Sequence, residues 1–521
     1  MARQGTLTSS TFTLMTMIGG GSLSLPLAFS QAGALASLFL LLLVAVSVYV
    51  SLMYLIDIDI FKSRSTLHPN YKSSYESACS NGSERGKLAV RLCLASICFA
   101  GIVAYAVLLR DLLSPIADTI GVGRSTDMNA EGSADESSKS SGETDGSTSG
   151  PSLSENLTML IVLALITPLT MMRTLSALRY VTMFSVANMA LLCLCIVYKS
   201  TECNFTDSYD SLHDNWTDYV HLWPSSWKRL VEALPIFTGP FICHFNLLTV
   251  HGELQNASRA RMQFVIRIAV SVATVFYATI GTAGMMYGNC VIPEGEVEDN
   301  ILLNFDDDDV VMNVGKVCLT LTISLSLPMM VLPCRDIILR MIMDGGGVVD
   351  DDAGGMNDVD KTLSERTMKA TASDVVTESM RQPLLLADDI DVDVPRGGGC
   401  SVLPEDDDAI YFEKVDLDES ESNADKKLRV PVTLCIVLGG AILACLVKNV
   451  DVVWELQGSS VVLMVGFLIP CKCFVDLNNN FTERGFKLRR ILARCIIAVF
   501  IPIMCICSCN AVYNVFWLGS S

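Results

Sequence analysis

Apolar runs of roughly 18–25 residues recur along this 521-residue chain, each long enough to cross about 30 Å of hydrocarbon. In lipid every backbone polar group must find its partner within the protein, so a chain built of such runs is a bundle of spanning helices. The runs fall at 12–32, 34–56, 88–112, 156–172, 179–198, 230–250, 263–286, 312–334, 430–448, 453–473 and 487–511. The expectation is an all-α polytopic membrane protein with about eleven transmembrane helices. The first run is followed at once by a second, so it reads as a retained span and not as a cleaved leader.

The runs divide the chain. A short amino terminus (1–11) leads into helices 1–5 (12–199), which carry a polar loop at 114–154. A loop at 200–229 precedes helices 6–8 (230–340). An acidic segment at 341–428 precedes helices 9–11 (429–521). The stretches "EGSADESSKSSGETDGSTSG" and 341–428 hold too few apolar residues to build a core. The net charge of −19 would argue against nucleic acid in a soluble protein; here it says little, because it is concentrated in loops such as "NFDDDD" and "PEDDDAIY", where it reads as solvated linker, and no nucleic-acid partner is expected.

Lys and Arg near the run ends set orientation. With the amino terminus in the cytosol, Arg173, Arg179, Arg259, Arg261, Arg335, Arg340, Arg484 and Arg489 fall on the cytosolic side. The loop 200–228 is then outside, and it holds two glycosylation sequons, at Asn204 and Asn215. Cys203 and Cys290 both fall in outer loops, where oxidation is permitted, and are expected to pair. The thiols inside the runs behave as small apolar groups.

The stretch "MTMIGGGSLSLPLAFSQAG" (Met15 to Gly33) is a poor helix. Gly19, Gly20 and Gly21 permit conformations closed to other residues, and Pro26 removes a donor and crowds the preceding turn. Close helix packing through small residues explains that stretch equally well. The sixth run breaks the balance: "ALPIFTGPFICHFNLL" carries Pro235, Gly239 and Pro240 in mid-span. Two interrupted spans separated by four intact ones suggest two five-helix halves. Broken helices at corresponding positions of two repeats mark the substrate site of LeuT-like transporters. A half-helix starting after the glycines offers N–H groups to a carboxylate. Carbonyls near Met17, Phe237 and Thr238 offer partial negative charge to an ammonium. A zwitterionic amino acid matches both.

Five motifs in order then resemble the amino acid/auxin permease superfamily. The chain is most similar to the sodium-coupled neutral amino acid transporters and related vacuolar or lysosomal members. They are "GGGSLSLPLAFSQAG", "GIVAYAVLLRDLL" with Tyr105 and Asp111, "PLTMMRTLSALRY", "FICHFNLLTVHGELQNASRARM" and "SLSLPMMVLPCR". The resemblance implies a LeuT-like 5+5 inverted repeat plus one helix, amino acid transport by alternating access, and a disulfide between the same two outer loops. It departs in two places: the long 341–428 loop has no counterpart in the family, and the first-helix Asn that helps hold sodium is replaced by Met15, where a thioether is a poor ligand for a hard cation.

The reading is a secondary active amino acid transporter with no cofactor, coupled to protons or sodium, in the plasma membrane or a vacuolar or lysosomal membrane. The substrate carboxylate is expected at the backbone of Gly19, Gly20, Gly21 and Ser22. Its ammonium is expected at Met17, Phe237 and Thr238, and its side chain at Tyr105, Phe241 and Ser324. Ser324, Ser326 and His244 are the ion-coupling candidates. Arg335 and Asp336 read as an interface anchor or a gate pair. An amino acid sensor signalling through 341–428 to cytosolic regulators, and a channel, are the competing classes. No nucleophile–base or metal-ligand spacing points to an enzyme.

Overall fold

The computed structural model describes residues 5–65, 74–80, 84–120, 153–172, 179–203, 221–291, 297, 300–305, 309–345, 423–447, 450–477 and 484–514, and these are almost entirely helical. Among the described residues, nine helices are long and apolar enough to cross a membrane. The bent pair Thr6–Met17 and Gly20–Ala32, taken as one span, makes up to ten, and the shorter apolar helix Asn156–Thr170 is numbered with them in chain order, as the fourth. After the first they run Ala34–Ser63, Arg85–Leu113, Asn156–Thr170, Thr182–Glu202, Trp227–Glu253, Arg259–Gly288, Val310–Asp344, Leu428–Leu446, Val452–Leu477 and Lys487–Tyr513.

Crossings alternate in direction, so the sixth span enters from the end opposite to the first. The two five-helix halves therefore traverse the bundle in opposite senses. The Cys203 and Cys290 sulfurs lie at bonding distance, with Cα atoms 6.4 Å apart, and tie the ends of the fifth and seventh spans. That end of the bundle is called the disulfide end below. Asn204 and Asn215 lie outside the described residues.

A pair of arginines makes the inverted repeat visible at atomic scale. The last turn of a helix leaves carbonyls without partners and carries partial negative charge, which suits a guanidinium. Arg110, late in the third span, donates from Nη1 to the carbonyls of Ala444 (2.9 Å) and Val447 (2.8 Å), where the ninth span ends. Arg335, late in the eighth span, donates from Nη1 to the carbonyls of Thr170 (3.4 Å) and Met172 (3.2 Å), where the fourth span ends. Each arginine also bonds the aspartate that follows it, Asp111 at 3.2 Å and Asp336 at 3.3 Å. Third and eighth, fourth and ninth are the partners that a five-helix repeat demands. Arg335 is thus a helix cap between spans. The third and eighth spans also pack extensively on each other.

Glycines on the seventh span let the second half of the first approach. A Cβ on Gly281 would strike the Phe29 ring, and one on Gly284 would strike Pro26. Gly33 ends the first span at φ +84°, a conformation L-residues rarely adopt. A Cβ there would meet the backbone of Leu222 and Trp223 at 2.7–2.8 Å. That backbone accepts hydrogen bonds from the next turn, with Ala34 N–H donating to the His221 carbonyl at 2.9 Å.

At the end opposite the disulfide, the second helix runs on to Ser65, beyond the expected limit at residue 56. Asp57 and Asp59 therefore sit on a helix and not in a loop. Asp57 holds Arg259 of the seventh span, with Nε at 2.6 Å, and Arg489 of the eleventh. Asp59 lies 3.6 Å from His251 Nδ1 at the end of the sixth. Arg489 also covers the stacked rings of Tyr54 and Phe474, 5.5 Å and 5.1 Å from their centroids. A short helix, Tyr75–Cys79, seals the same end. Lys62 caps its last carbonyls at Ser77 (3.1 Å) and Ser80 (2.7 Å), and buried Glu76 pairs with Arg340 at 2.7 Å.

Candidate functional site

The first span breaks where the glycines lie. Its first helix ends at Met17, and Ile18 (φ −76°, ψ 96°) and Gly19 (φ −138°, ψ −162°) are extended. A tight turn covers Gly20–Ser24, then Leu25–Ala32 resumes as an α-helix bent by 52°. Ser22 closes the turn, its N–H (3.1 Å) and hydroxyl (2.9 Å) both donating to the Gly19 carbonyl. The lack of side chains brings neighbours close. A Cβ on Gly19 would collide with the Tyr105 hydroxyl and lie 3.4 Å from its Cζ, and one on Gly20 would collide with Leu108.

The sixth span breaks in the same way. Its first half, Trp227–Thr238, carries Phe237 and Thr238 as its last residues. Gly239–Phe241 forms a single tight turn, Ile242 (φ −75°, ψ 107°) and Cys243 (φ −131°, ψ 5°) leave helical geometry, and His244–Glu253 resumes. The interruption thus lies just beyond Phe237 and Thr238. Those two residues supply helix-terminal carbonyls, and Thr238 Oγ1 donates to the Pro235 carbonyl at 3.0 Å.

The two breaks touch. The Cβ direction of Gly21 points at Pro240 Cγ (3.6 Å) and at the Trp454 indole (3.9 Å). Tyr277 donates to the Pro240 carbonyl at 2.9 Å and meets Phe241 edge-on, centroids 4.9 Å apart. Phe237 packs on Phe29 at 5.8 Å. Two carbonyl-bearing helix ends, at Met17 and Thr238, and two N–H-bearing helix starts, after Gly20 and at His244, therefore lie around one aromatic-walled region. Tyr105, Phe237 and Phe241 are all buried. Helix-end partial charges of both signs, held away from water, match a molecule carrying one ammonium and one carboxylate.

His244, fully buried, heads the second half of the sixth span. Its Nε2 lies 3.0 Å from Ser51 Oγ, and the Ser51 hydroxyl donates to the Gly466 carbonyl. The Ser51 proton is committed to that carbonyl, so its oxygen accepts from Nε2–H. The neutral ring then carries its free lone pair on Nδ1, which is buried without a hydrogen-bond partner. Gly466 sits in a widened π-helical turn, Met464–Leu468, of the tenth span. Such turns release carbonyls from the helix ladder. Tyr75 takes the adjacent one, at Val465, at 2.6 Å.

The eighth span separates its two serines. Residues two apart on a helix point roughly 200° apart, so Ser324 and Ser326 do not share a face. Ser326 is buried with Thr322, one turn back, and donates to the Thr322 carbonyl at 2.7 Å; Ser324 is half-buried. Thr322 went unnoticed in the sequence, and its i, i+4 spacing to Ser326 was the available signal. So did Asn246, buried two residues beyond His244, with Nδ2 3.5 Å from the Met329 carbonyl and Oδ1 unpartnered. Met15 is buried on the first span.

A bundle of this topology with paired broken helices is a LeuT-like transporter fold. The crystal structure of MhsT in complex with L-phenylalanine superposes with a TM-score of 0.53 at 11% identity, covering 97% of this chain and all of that one. The family described as transmembrane amino acid transporter protein matches residues 3–513, and the chain belongs to that family. Its relatives include vacuolar amino acid transporter 5 of Schizosaccharomyces pombe, 23% identical over 63% of this chain and 67% of the relative. Vacuolar amino acid transporter 6 of Saccharomyces cerevisiae is 22% identical over 60% and 61% of the two chains. Sodium-coupled neutral amino acid transporter 7 of Xenopus laevis is 25% identical over 32% and 34%. The matched stretches thus span between 34% and 67% of those relatives' own length. Members of this family are transporters, not enzymes.

Proposed function

We propose that the protein carries amino acids across its membrane by alternating access, with the substrate lying between the two helix breaks. The carboxylate is assigned to the N–H groups of Gly19, Gly20 and Gly21, in the turn that Ser22 closes by giving its own N–H to the Gly19 carbonyl. The ammonium is assigned to the carbonyls of Met17, Phe237 and Thr238, and the side chain to the wall of Tyr105 and Phe241. The contact between the Gly21 and Pro240 segments carries this reading, because it joins helix ends of both signs in one buried place. The half-buried Ser324 is kept as a candidate for the far wall.

Protons are the favoured driving ion. Met15 supplies sulfur where a sodium site wants oxygen, and His244, whose Nδ1 is buried without a partner, is kept as the ion-coupling candidate at the break. The amino terminus is assigned to the cytosol, with the disulfide end facing an oxidising compartment. The plasma membrane and the vacuolar or lysosomal membrane both satisfy that assignment.

The test is uptake of a radiolabelled amino acid panel into proteoliposomes under imposed proton or sodium gradients. Saturable uptake driven by protons supports the reading, and uptake driven by sodium alone refutes the role given to Met15. Gly19→Val, which forces the Tyr105 ring aside, should abolish uptake in a protein that still folds and inserts. Full uptake by that variant would overturn the assigned site.

A further inference from the structure

A chamber lies beside the broken helices. It is a cavity of about 180 Å³ lined from four spans, by Gln31 of the first, Glu232 of the sixth, Trp454 and Glu455 of the tenth and Asn514 at the end of the eleventh. These positions place it on the disulfide side of the breaks. Trp454 belongs to both places, because it lines the cavity and also reaches within 3.9 Å of the Cβ direction of Gly21. The indole is thus the partition between chamber and breaks.

The polar atoms of this chamber are poorly satisfied. Gln31 Oε1, Asn514 Oδ1 and Trp454 Nε1 are buried and have no hydrogen-bond partner. Buried polar groups left unpaired are costly, so several around one cavity mark a place where something polar sits. The balance of types is informative. Glu232, Glu455, Gln31 Oε1 and Asn514 Oδ1 are acceptors, while Trp454 Nε1 is a donor. Lys228 pairs with Glu232 at 3.6 Å but is itself largely exposed. Glu455 receives the amides of Asn510 (3.4 Å) and Asn514 (3.0 Å), which fix its carboxylate without cancelling its charge.

We propose that this chamber is a recognition subsite for the primary ammonium group of an incoming amino acid, held there before Trp454 moves and admits it to the breaks; the role as an antechamber rests on the transport reading above. An ammonium has three donors, which suit the convergent acceptors. A Trp face adds cation–π attraction. The lone indole N–H, beside the Ser24 hydroxyl on the same wall, can meet the carboxylate of the same molecule. A metal cation shares the positive charge but requires several oxygens closed tightly around it, which a chamber this roomy, with an indole on its wall, does not supply.

The test uses the full-length protein in nanodiscs and three probes: L-leucine, isoamylamine, which lacks the carboxylate, and 4-methylpentanoate, which lacks the ammonium. Tryptophan fluorescence is titrated, with Trp454→Phe identifying the signal of that indole. Isoamylamine should produce a saturable change that Trp454→Phe removes, and 4-methylpentanoate should produce none in the same range. Glu455→Gln, close in size, should weaken isoamylamine at least tenfold, and Asn514→Ala should weaken it too. Gly20→Leu should stop leucine uptake and leave isoamylamine binding within twofold. Isoamylamine binding that is absent, or unmoved by Glu455→Gln and Trp454→Phe, overturns the subsite. So does displacement by sodium chloride but not potassium chloride, which would assign the chamber to a metal ion. Uptake intact without amine binding removes the subsite alone. Amine binding with no uptake of any amino acid removes the transport reading, and with it the antechamber role.

Discussion

Replacing Asp57 by Asn should loosen the end of the bundle opposite the disulfide. The carboxylate there is 11% exposed and holds arginines that are 35% and 26% exposed, on the seventh and eleventh spans. Asparagine keeps the shape and removes the charge. Hydrogen bonds to charged groups contribute about 1.5–3 kcal/mol each, and partly exposed arginines place both bonds at the low end of that range. Losing the charge in both then costs about 3 kcal/mol, or roughly a hundredfold in the equilibrium for opening that end. Hydrogen–deuterium exchange in nanodiscs reads this directly, in peptides spanning residues 251–262 and 484–495. Exchange there should accelerate by about that factor, with the disulfide end unchanged. Arg489→Gln should have a similar effect. The double variant should fall short of the sum, because both changes remove one shared bond. Unchanged exchange in Asp57→Asn would show that Asp57 closes nothing, and the picture of a charge clamp across three spans would be abandoned.

Arg110→Met and Arg335→Met should each lower thermal stability by about 2–3 kcal/mol, since each uncovers the end of a helix. The two losses should add, because the sites lie at opposite ends of the bundle; thermal unfolding of the single and double variants in detergent checks both points. Ser51→Ala removes the acceptor of His244 Nε2–H and the donor to Gly466, so it should destabilise by about 1–3 kcal/mol. It should also change the pH profile of uptake, whereas Ser51→Thr should preserve that profile. Cys203→Ser should cost about 2–4 kcal/mol. A reducing agent should lower the melting temperature of the wild type to that of the variant and leave the variant where it was.

The breaks were legible because glycine and proline in mid-span contradict the rest of an apolar run, and such contradictions are local. The LeuT-like order followed from where the two breaks fell. What escaped the sequence depended on distance. Asp57 and Asp59 looked like the start of a loop because charge ends a hydropathy window. Their partners Arg259, Arg489 and His251, brought close only by folding, let the helix continue. Arg110 drew no notice in the sequence and Arg335 read as an interface anchor or a gate pair, whereas both hold carbonyls more than 160 residues away. The π-helical turn at Met464–Leu468 has no compositional mark. Ser324 and Ser326 looked like one pair because adjacency in sequence hides which face of a helix each occupies.

The capping arginines also bear on how such a chain is made. Spans enter the membrane in the order of synthesis, and Arg110 arrives with the third. The carbonyls it finally holds, at Ala444 and Val447, belong to the ninth. The fourth span has the reverse problem, since its carbonyls at Thr170 and Met172 wait for Arg335 of the eighth. A guanidinium inside a lone helix costs about 2.5–3.5 kcal/mol at mid-membrane, and less where its long side chain can reach the interface. Both arginines lie near the ends of their spans, where that waiting is cheapest. Neither half can settle its helix ends without the other, so a nascent chain halted after the fifth span should remain loosely assembled in the bilayer until the ninth has been threaded in.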